Sequence, residues 1–399
     1  MKNRFKTPIR SWIGRLAMWC WAGPVLAQTT ILPAEVRQEI FPPQTQHVHG
    51  SSLAALPNGD LLAVWFQGSG ERTANDVKLM GARKSKNADT WSAPFIMADT
   101  PDVPDCNPVL FLNQKNELFL VWIAVLGNRW EHSVLRVRRS TDFQNPGAPR
   151  WHWQDNILLQ PGEEFVEEVK IRMKELPDSH QGWSEYAPSY ENLILEAITD
   201  SKKRSIGWMT RIKPLISEGK IILPLYSDGF NFSLMAISED EGNTWKPSKP
   251  VVGKGPIQPA LAQRKNGDIV AMMRDSGDAP TRIQQSISKD RGISWTAAQK
   301  TSFPNTASVE LAVLQDGRWW MVGNDLHDGR YRLALWISSN EGQTWSNPRY
   351  LEDDPEKKGG FSYPSLIQDS SGKVHLSYSR HFPSAKTIQY LQLDPQKIR

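Results

Sequence analysis

Short apolar strands that each follow a polar turn recur along the whole chain. Six such units cover residues 57–65, 114–122, 218–223, 266–273, 316–322 and 371–378. Every turn except the second contains a glycine, which allows the positive φ that a tight hairpin requires. The apolar run after each turn is short and continuous, as is typical of a strand buried inside a sheet protein. The pattern therefore predicts a series of β-hairpins.

A second motif repeats at a fixed spacing. The form Ser-x-Asp-x-Gly-x-x-Trp begins at residues 238, 288 and 338, so the copies lie 50 residues apart, and the third has Asn340 in place of the aspartate. A shortened copy lies at 85–91 and a broken one at 140–142. The aspartate is suited to accept N–H groups of its own turn, and the tryptophan is suited to pack into the sheet. We call each copy of this motif a box, and we interpret the boxes as structural elements.

Six repeated units of about four strands each predict an all-β fold, a six-bladed β-propeller. The last unit is one strand short, and residues 31–40 are the candidate for that strand, which closes the ring. Residues 160–205 break the repeat, because their apolar side chains follow helical spacing. We predict a small helical insertion there, between blades 2 and 3, as a candidate cap for the mouth of the propeller.

Residues 1–27 have the pattern of a signal peptide. They contain five basic residues and no acidic one, then a short apolar stretch that ends at the small residue Ala27. The remaining residues, 28–399, contain 42 basic and 43 acidic side chains, so the basic pI of 8.9 comes from the leader. That balance gives no reason to expect nucleic-acid binding. We predict an exported protein, periplasmic or secreted, whose propeller occupies 28–399.

Several classes of protein are excluded by what the rest of the chain lacks. No other apolar run is long enough for a membrane helix, so we expect no membrane span after cleavage of the leader. Beyond the leader, Cys106 is the single cysteine, which excludes an intramolecular disulfide. No pair of histidines or cysteines has the spacing of metal ligands, so we expect no metal and no cofactor.

The boxes and hairpins resemble those of the Asp-box (BNR repeat) sialidase superfamily, in particular its bacterial and plant sialidase-like branch. The resemblance runs from about His47 to the end of the chain. It implies a glycoside hydrolase, a neuraminidase-type enzyme of carbohydrate metabolism whose partner is a glycan substrate. The expected function is removal of a terminal acidic sugar, sialic acid or a related sugar.

The same resemblance implies catalytic roles for four residues. Asp76 matches the acid/base aspartate, and Tyr363, in the segment Phe361-Ser-Tyr-Pro-Ser-Leu366, matches the tyrosine nucleophile. Gln258 stands where sialidases have the glutamate that assists the nucleophile. His49 stands where they have the first arginine of the carboxylate-binding triad. A glutamine cannot accept the proton of the tyrosine, so either another base serves, for which Glu71 and Glu310 are candidates, or the chemistry differs from that of sialidases.

Substrate-binding roles follow from the resemblance as well. Arg274 and Arg330 match the other two triad arginines, with Arg332 as a near alternative to Arg330. Further candidates lie on the blade 1 loop and at the start of blade 2: Glu71, Arg72, Asp105 and Asn107. A planar guanidinium binds a carboxylate through two parallel hydrogen bonds, which suits an acidic sugar.

Three functions remain open at this stage. The first is the sialidase-type hydrolase, which requires Asp76 to protonate the leaving group. The second is a polysaccharide lyase, or another glycosidase, that acts on uronic-acid glycans, for which His49 or Tyr363 is the base and an unsaturated product is expected. The third is a non-catalytic glycan-binding propeller, which tolerates Asp76→Asn without loss of binding. The fold alone does not decide among them.

Overall fold

Six antiparallel sheets follow one another along the chain and form the blades of a β-propeller. The computed structural model of the protein describes residues 30–176 and 187–398. The predicted leader, residues 1–27, lies outside these described residues. Around the ring, the inner strands of neighbouring blades contact each other, and the inner strand of blade 6 contacts that of blade 1. The prediction of an all-β, six-bladed propeller is confirmed.

The first half of the ring contains three blades and the helices. The chain begins with β1 (Val36–Glu39) and continues into blade 1, which consists of β2 (His47–Ala55), β3 (Leu61–Gly68), β4 (Lys78–Lys84) and β5 (Phe95–Ala98). Blade 2 consists of β6 (Asp105–Leu112), β7 (Leu118–Val125), β8 (Ser133–Ser140) and β9 (Trp153–Asn156). Within the described residues, three α-helices follow: α1 (Glu163–Glu175), α2 (Ala187–Ala197) and α3 (Ser201–Arg204). Blade 3 consists of β10 (Met209–Thr210), β11 (Leu215–Ser217), β12 (Lys220–Ser227), β13 (Phe232–Ser238) and β14 (Lys246–Pro247).

The second half of the ring has a more regular layout. Blade 4 consists of β15 (Pro256–Gln263), β16 (Ile269–Asp275), β17 (Arg282–Ser288) and β18 (Gln299–Pro304). Blade 5 consists of β19 (Glu310–Val313), β20 (Trp319–Gly323), β21 (Arg332–Ser338) and β22 (Arg349–Asp353). Blade 6 consists of β23 (Gly360–Gln368), β24 (Val374–Phe382) and β25 (Ala385–Leu393), and β1 is its fourth strand.

The second strand of each blade explains the continuous apolar runs of the sequence. Such a strand has a partner on both edges and a neighbouring blade on both faces, so both of its faces are buried. In β7 every residue is buried, and in β20 likewise. Bulky tryptophans fill the space between the blades, and those that are fully buried are Trp65, Trp122, Trp295, Trp319, Trp320 and Trp336.

The N-terminal strand closes the ring. β1 pairs antiparallel with β25, in the register that places Val36 opposite Gln392. A further backbone bond runs from Ile40 N to Ile388 O at 2.9 Å. The first described strand and the last strand of the chain thus belong to one sheet, which leaves no blade with a free closing edge. The prediction that residues 31–40 complete blade 6 is confirmed.

The helical insertion packs against blade 3. The ring of Phe165 on α1 lies 6.1 Å from that of Trp208 and 5.9 Å from that of Phe230. Trp208 precedes β10, and Phe230 lies in the turn between β12 and β13. α1 therefore supports this turn through aromatic contacts. Within the described ranges, no helix is both long enough and apolar enough to span a membrane.

The Asp boxes form the same turn three times, each between the third and fourth strands of a blade. In the first box, Ser238 Oγ donates to Asp240 Oδ1 at 2.8 Å, and Gly242 N donates to Ser238 Oγ at 2.8 Å. The same two bonds recur at 2.8 to 2.9 Å in Ser288/Asp290/Gly292 and Ser338/Asn340/Gly342. The glycines have φ between +77° and +89°. The aspartates therefore satisfy the N–H and O–H groups of their own turns, as predicted.

Candidate active site

The inner strands of four blades contain the same irregularity near one end. In β2, β6, β15 and β23 the pairing with the second strand skips two residues. Each gap contains one residue in the left-handed region, namely Gly50 (φ 62°), Asn107 (φ 49°), Gln258 (φ 56°) and Tyr363 (φ 56°). Such bulges redirect a side chain away from the regular pleat. Left-handed backbone is unfavourable for non-glycine residues and is often found at functional sites.

The redirected side chains line one cavity of about 340 Å³. Its lining residues come from the strands and loops of all six blades: His47, His49, Glu71, Asn107, Trp130, Tyr226, Asp228, Ile257, Gln258, Arg274, Arg330, Tyr363 and His381. The volume lies at the lower end of the usual range for small-molecule sites, about 300–1,000 Å³, and fits one sugar residue better than several. The sequence predicted His49, Glu71, Asn107, Gln258, Arg274, Arg330 and Tyr363 as site residues, and the structure brings these seven together.

Tyr363 lies among cations. Its side chain is buried, and its hydroxyl oxygen accepts from Gln258 Nε2 and from Arg274 Nη1, each at 3.4 Å. The guanidinium of Arg330 lies 5.4 Å from the ring centroid. Burial raises the pKa of Tyr363, but the positive charges of Arg274 and Arg330 and the bond from Gln258 outweigh it, so the pKa is lowered. Tyr363 therefore ionises to the phenolate more readily than an ordinary tyrosine does.

The structure shows which of the two candidate arginines of blade 5 faces the cavity. Arg330 lines the cavity. Arg332 instead pairs with Asp353, Nε to Oδ1 at 3.0 Å, and stacks on the ring of Tyr350 at 4.9 Å. Arg72 does not line the cavity, and its guanidinium lies 5.5 Å from the ring of Trp130 in the cavity wall. Arg274 and Arg330 are thus the two guanidinium groups that face the cavity.

Two carboxyl groups line the cavity, and both have raised pKa values. Burial raises the pKa of Glu71, and Arg330, Arg72 and Arg274 offset this only in part. Asp228 is exposed to solvent, yet the protein packed around its carboxyl group still raises its pKa, with Arg274 as the main opposing charge. A carboxyl group with a raised pKa is suited to donate and take back a proton near neutral pH.

Asp76 lies elsewhere. It is exposed, it does not line the cavity, and both of its carboxylate oxygens accept from Ser69 N at 3.1 Å. Ser69 Oγ also donates to Asp76 Oδ1 at 2.8 Å. These bonds from Ser69 lower the pKa of Asp76. The aspartate therefore stays ionised and stabilises its own turn, which does not support the acid/base role expected of it.

Asp105 is also held away from the cavity. It is fully buried, its Oδ1 accepts from Trp122 Nε1 at 2.7 Å, and its Oδ2 accepts from Thr100 N at 2.6 Å. These bonds connect the start of β6 to β7 and to the preceding loop. Its neighbour Asn107 does line the cavity and donates from Nδ2 to the hydroxyl of Tyr226 at 3.1 Å.

His49 forms one wall of the cavity as a neutral ring. Its Nδ1 is hydrogen-bonded to Ser379 Oγ at 2.7 Å, and its ring centroid lies 4.0 Å from that of Tyr363. Burial, followed by the charges of His381 and Arg330, lowers the pKa of His49 well below its usual value. His49 therefore does not replace the missing arginine as a cation. Two more histidines, His47 and His381, surround it at 5.7 and 5.1 Å between ring centroids.

Six lining residues of the cavity were not among the residues predicted from sequence: His47, Trp130, Tyr226, Asp228, Ile257 and His381. Tyr226 and Asp228 had a usable signal, because they lie at and just after the end of the second strand of blade 3. Arg274 likewise lies at the end of the second strand of blade 4, and Glu71 lies after that of blade 1. Glu310, a candidate base, does not line the cavity and pairs with Lys213, Oε2 to Nζ at 3.1 Å. In the part of the chain that the structure describes, no three His, Cys, Asp or Glu side chains are grouped to hold a metal ion.

Comparisons with known proteins identify the family of the chain. The model of the BNR repeat-like domain matches residues 59–174 and 160–376, and the chain belongs to this family. A sialidase of Vibrio cholerae serotype O1 is 27% identical over 277 residues, which is 56% of this chain and 34% of that protein. The chain thus spans about a third of the length of the curated relatives it matches.

Solved structures share the fold. A protein of unknown function from Dyadobacter fermentans has a TM-score of 0.66 at 16% identity, over 91% of this chain and 98% of that one. Trypanosoma rangeli sialidase in complex with sialic acid has a TM-score of 0.64 at 14% identity, over 93% and 61% of the two chains. The intramolecular trans-sialidase of Ruminococcus gnavus, in complex with oseltamivir carboxylate, gives 0.63 at 13% identity, over 90% and 97%.

Proposed function

We propose that the protein is an exported, sialidase-like exo-glycoside hydrolase that removes a terminal acidic sugar, sialic acid or a relative, from glycans. The observation that carries the proposal is the position of Tyr363, a buried tyrosine of lowered pKa between two arginines in a cavity of one-sugar size. The family membership and the sialidase relative support it. The basic, apolar leader supports export.

Recognition of the substrate rests on the charges that face the cavity. Arg274 and Arg330 hold the carboxylate of the sugar, since guanidinium groups stay charged and pair with carboxylates through directed hydrogen bonds. The neutral ring of His49 replaces the first triad arginine as a hydrogen-bonding wall. The pocket therefore binds an anionic sugar through two positively charged side chains, where the triad of sialidases has three.

Tyr363 is the nucleophile in this proposal. A carboxylate nucleophile is repelled by the charge of an acidic sugar, and sialidases are exceptions to the two-carboxylate scheme for this reason. Arg274 and Arg330 lower the pKa of Tyr363, which makes loss of its proton to solvent easier without a glutamate at position 258. Gln258 contributes a hydrogen bond from Nε2 to the phenolate oxygen. The phenolate attacks the anomeric carbon as the glycosidic C–O bond breaks.

Glu71, rather than Asp76, is the acid/base. Its raised pKa makes its protonated form easier to populate than that of an ordinary glutamate, and this form protonates the leaving oxygen in the first step. In the second step the Glu71 carboxylate takes a proton from water, the water oxygen bonds to the anomeric carbon, and the bond to Tyr363 breaks. Asp228 lies in the same cavity and keeps the pKa of Glu71 raised through its own negative charge.

A lyase remains the second candidate because of one observation. The neutral ring of His49 lies against Tyr363, so two groups able to accept a proton stand beside two arginines that suit a uronate. A lyase product carries a new carbon–carbon double bond, whereas a hydrolase product does not.

The test is release of sugar from a panel of sialylated and uronic-acid glycans by residues 28–399. Free reducing sugar and ultraviolet absorbance of an unsaturated product are recorded together, with Tyr363→Phe as the control. Release of an acidic sugar by the native chain but not by Tyr363→Phe supports the hydrolase. An unsaturated product contradicts it in favour of the lyase, and binding of glycans without any cleavage contradicts both.

A further inference from the structure

A buried arginine from the opposite side of the ring contacts Tyr363 without lining the cavity. Arg211 lies between β10 and β11, where four residues stand opposite two of β12 because Thr210 pairs with Leu225 and Leu215 with Ile222. This wide bulge breaks the inner strand of blade 3. The Arg211 side chain leaves the sheet there and reaches blades 1 and 6, and blade 6 is across the ring from blade 3.

The guanidinium of Arg211 has unusual partners for a buried charge. It is 2% exposed, and it donates from Nη1 to Ser51 O at 3.4 Å and from Nη2 to Pro364 O at 3.2 Å. Among the described residues, no carboxylate forms an ion pair with it, and its Nε has no partner. A buried charge without an opposite charge is costly. Its presence is explained if it stabilises an anion.

The candidate anion is Tyr363. The Arg211 guanidinium lies 4.7 Å from the centroid of the Tyr363 ring, closer than that of Arg330 at 5.4 Å. Burial lowers the pKa of Arg211, and Tyr363 is the largest charge that opposes this, ahead of Glu310. A cation over an aromatic face is attracted to the ring, and more so when the ring carries a negative charge.

We propose that Arg211 is a positioning residue for Tyr363: it fixes the Tyr363 bulge through the Pro364 carbonyl and holds a permanent charge against the ring that favours the phenolate. Arg274 and Arg330 are free to bind the carboxylate of the substrate, whereas Arg211 is not, because it does not line the cavity. The charged and titratable groups that face Tyr363 are Arg211, Tyr226, Arg274, Arg330, His49 and Glu71. The catalytic meaning of this inference rests on the proposed function.

The experiment is an ultraviolet titration of the Tyr363 phenolate in the intact chain, taken as the difference between each protein and the same protein with Tyr363→Phe. Arg211→Met is expected to raise the titration midpoint by about 1 pH unit, and Arg211→Lys to raise it by less, because the charge is retained. Arg83→Met is the matched control, since Arg83 is also buried and donates to two backbone carbonyls, those of Phe143 and Gly147, without contact to Tyr363. It should leave the midpoint unchanged.

An equal midpoint in native protein and folded Arg211→Met overturns the inference, as does an equal shift in Arg83→Met. Arg211→Gln is the second neutral variant if Arg211→Met is unfolded by circular dichroism. If neither neutral variant folds, Arg211 is a general structural residue and the inference fails. The titration uses no substrate, so its failure is distinguishable from failure of the proposed function, which is absence of sugar release.

Where sugar release is measurable, a second readout applies. Arg211→Met should move the pH profile of kcat to higher pH and leave KM nearly unchanged, because Arg211 does not reach the substrate. A purely structural role predicts a lower kcat at every pH with no shift of the profile.

Discussion

The carboxylates of the outer turns and the carboxyl groups of the cavity differ in two respects, the hydrogen-bond donors around them and the depth of their burial. Asp240 accepts from Ser238, Asn243 and Thr244, and these bonds outweigh its burial and lower its pKa to about 2. Glu71 in the cavity has no such set of donors, and burial raises its pKa. The comparison teaches that a carboxylate already satisfied by its own turn is structural, and one without local donors is available for chemistry.

Asp76 belongs to the structural carboxylates. It is close to Glu71 in sequence and on the same loop after β3, yet its oxygens are satisfied by Ser69 as those of Asp240 are satisfied by the box. Glu71 and Asp228 belong to the carboxyl groups that are available for chemistry. If this division is correct, substitutions in the two groups should separate loss of activity from loss of stability.

The largest effect should come from the nucleophile. Tyr363→Phe removes the phenolate and is expected to reduce kcat on the order of a thousandfold or more, since the covalent step is lost. Tyr226→Phe is the matched control, because Tyr226 lines the same cavity but its pKa is raised well above the usual value by burial. Initial rates of sugar release measure both. A loss of activity of equal size in the two variants would contradict the assignment of Tyr363 as the nucleophile.

The two carboxyl groups of the blade 1 loop should differ strongly in activity. Glu71→Gln is expected to lower kcat by about a hundredfold or more, because proton transfer to the leaving group is lost. Asp76→Asn keeps an oxygen acceptor for Ser69 and should change kcat by less than about threefold, since Asp76 does not line the cavity. A larger loss in Asp76→Asn than in Glu71→Gln would reverse the assignment of the acid/base.

The box aspartates should affect stability instead of activity. Asp240→Ala is expected to lower the free energy of unfolding by about 1 to 2 kcal/mol, because several turn donors lose their acceptor. Asp240→Asn should cost less, since Asn340 accepts the equivalent bonds from Ser338 and Thr344 in the third box. Denaturant unfolding measures both variants.

The pH dependence of that contribution has a definite sign. The pKa of Asp240 is about 2 in the folded protein against 3.8 ordinarily, so its stabilisation is present above pH 3.8 and is lost as the pH falls through about 2. Asp240→Asn removes this dependence. If the variant and the native protein lost stability in parallel over that interval, the turn would not be held by the ionised carboxylate.

A second pH-dependent effect on stability should come from His47, which lies beside His49 in the cavity wall. Burial lowers the pKa of His47 to about 4 from 6.5, so the unfolded chain binds its proton more tightly. The folded protein is therefore fully stabilised above pH 6.5 and loses stability as the pH falls toward 4. His47→Gln should reduce this loss by about 2 kcal/mol at pH 5. Unfolding free energies at pH 7 and pH 5, compared between the two proteins, check this, and an unchanged difference would contradict it.

The repeated parts of the molecule were predictable from sequence, and the single loops were not. The boxes at 50-residue spacing and the buried second strands follow period and turn chemistry, so the propeller and its closing strand were predicted. Gln258 and Tyr363 lie on inner strands, whose positions follow from the repeat. Glu71 and Asp76 share one irregular loop, where no periodicity indicates which side chain faces inward.

Arg211 shows a further limit of the sequence. It reaches Tyr363 from the blade on the opposite side of the ring, because a bulge interrupts the inner strand of blade 3. No local sequence pattern predicts this bulge. Contacts that cross the centre of a propeller depend on how the ring closes, and the order of residues along one blade contains no signal for them.

The most direct test of the central claim is the mass of the protein during turnover. Glu71→Gln is reacted with an aryl glycoside of sialic acid, whose good leaving group needs no acid, and the quenched protein is digested and weighed by mass spectrometry. The first step then proceeds while the second lacks its base, so we predict one sugar residue bound to the peptide that contains Tyr363, and no accumulation in Asp76→Asn. Sugar release without an adduct on Tyr363, or accumulation in Asp76→Asn instead, would contradict the account.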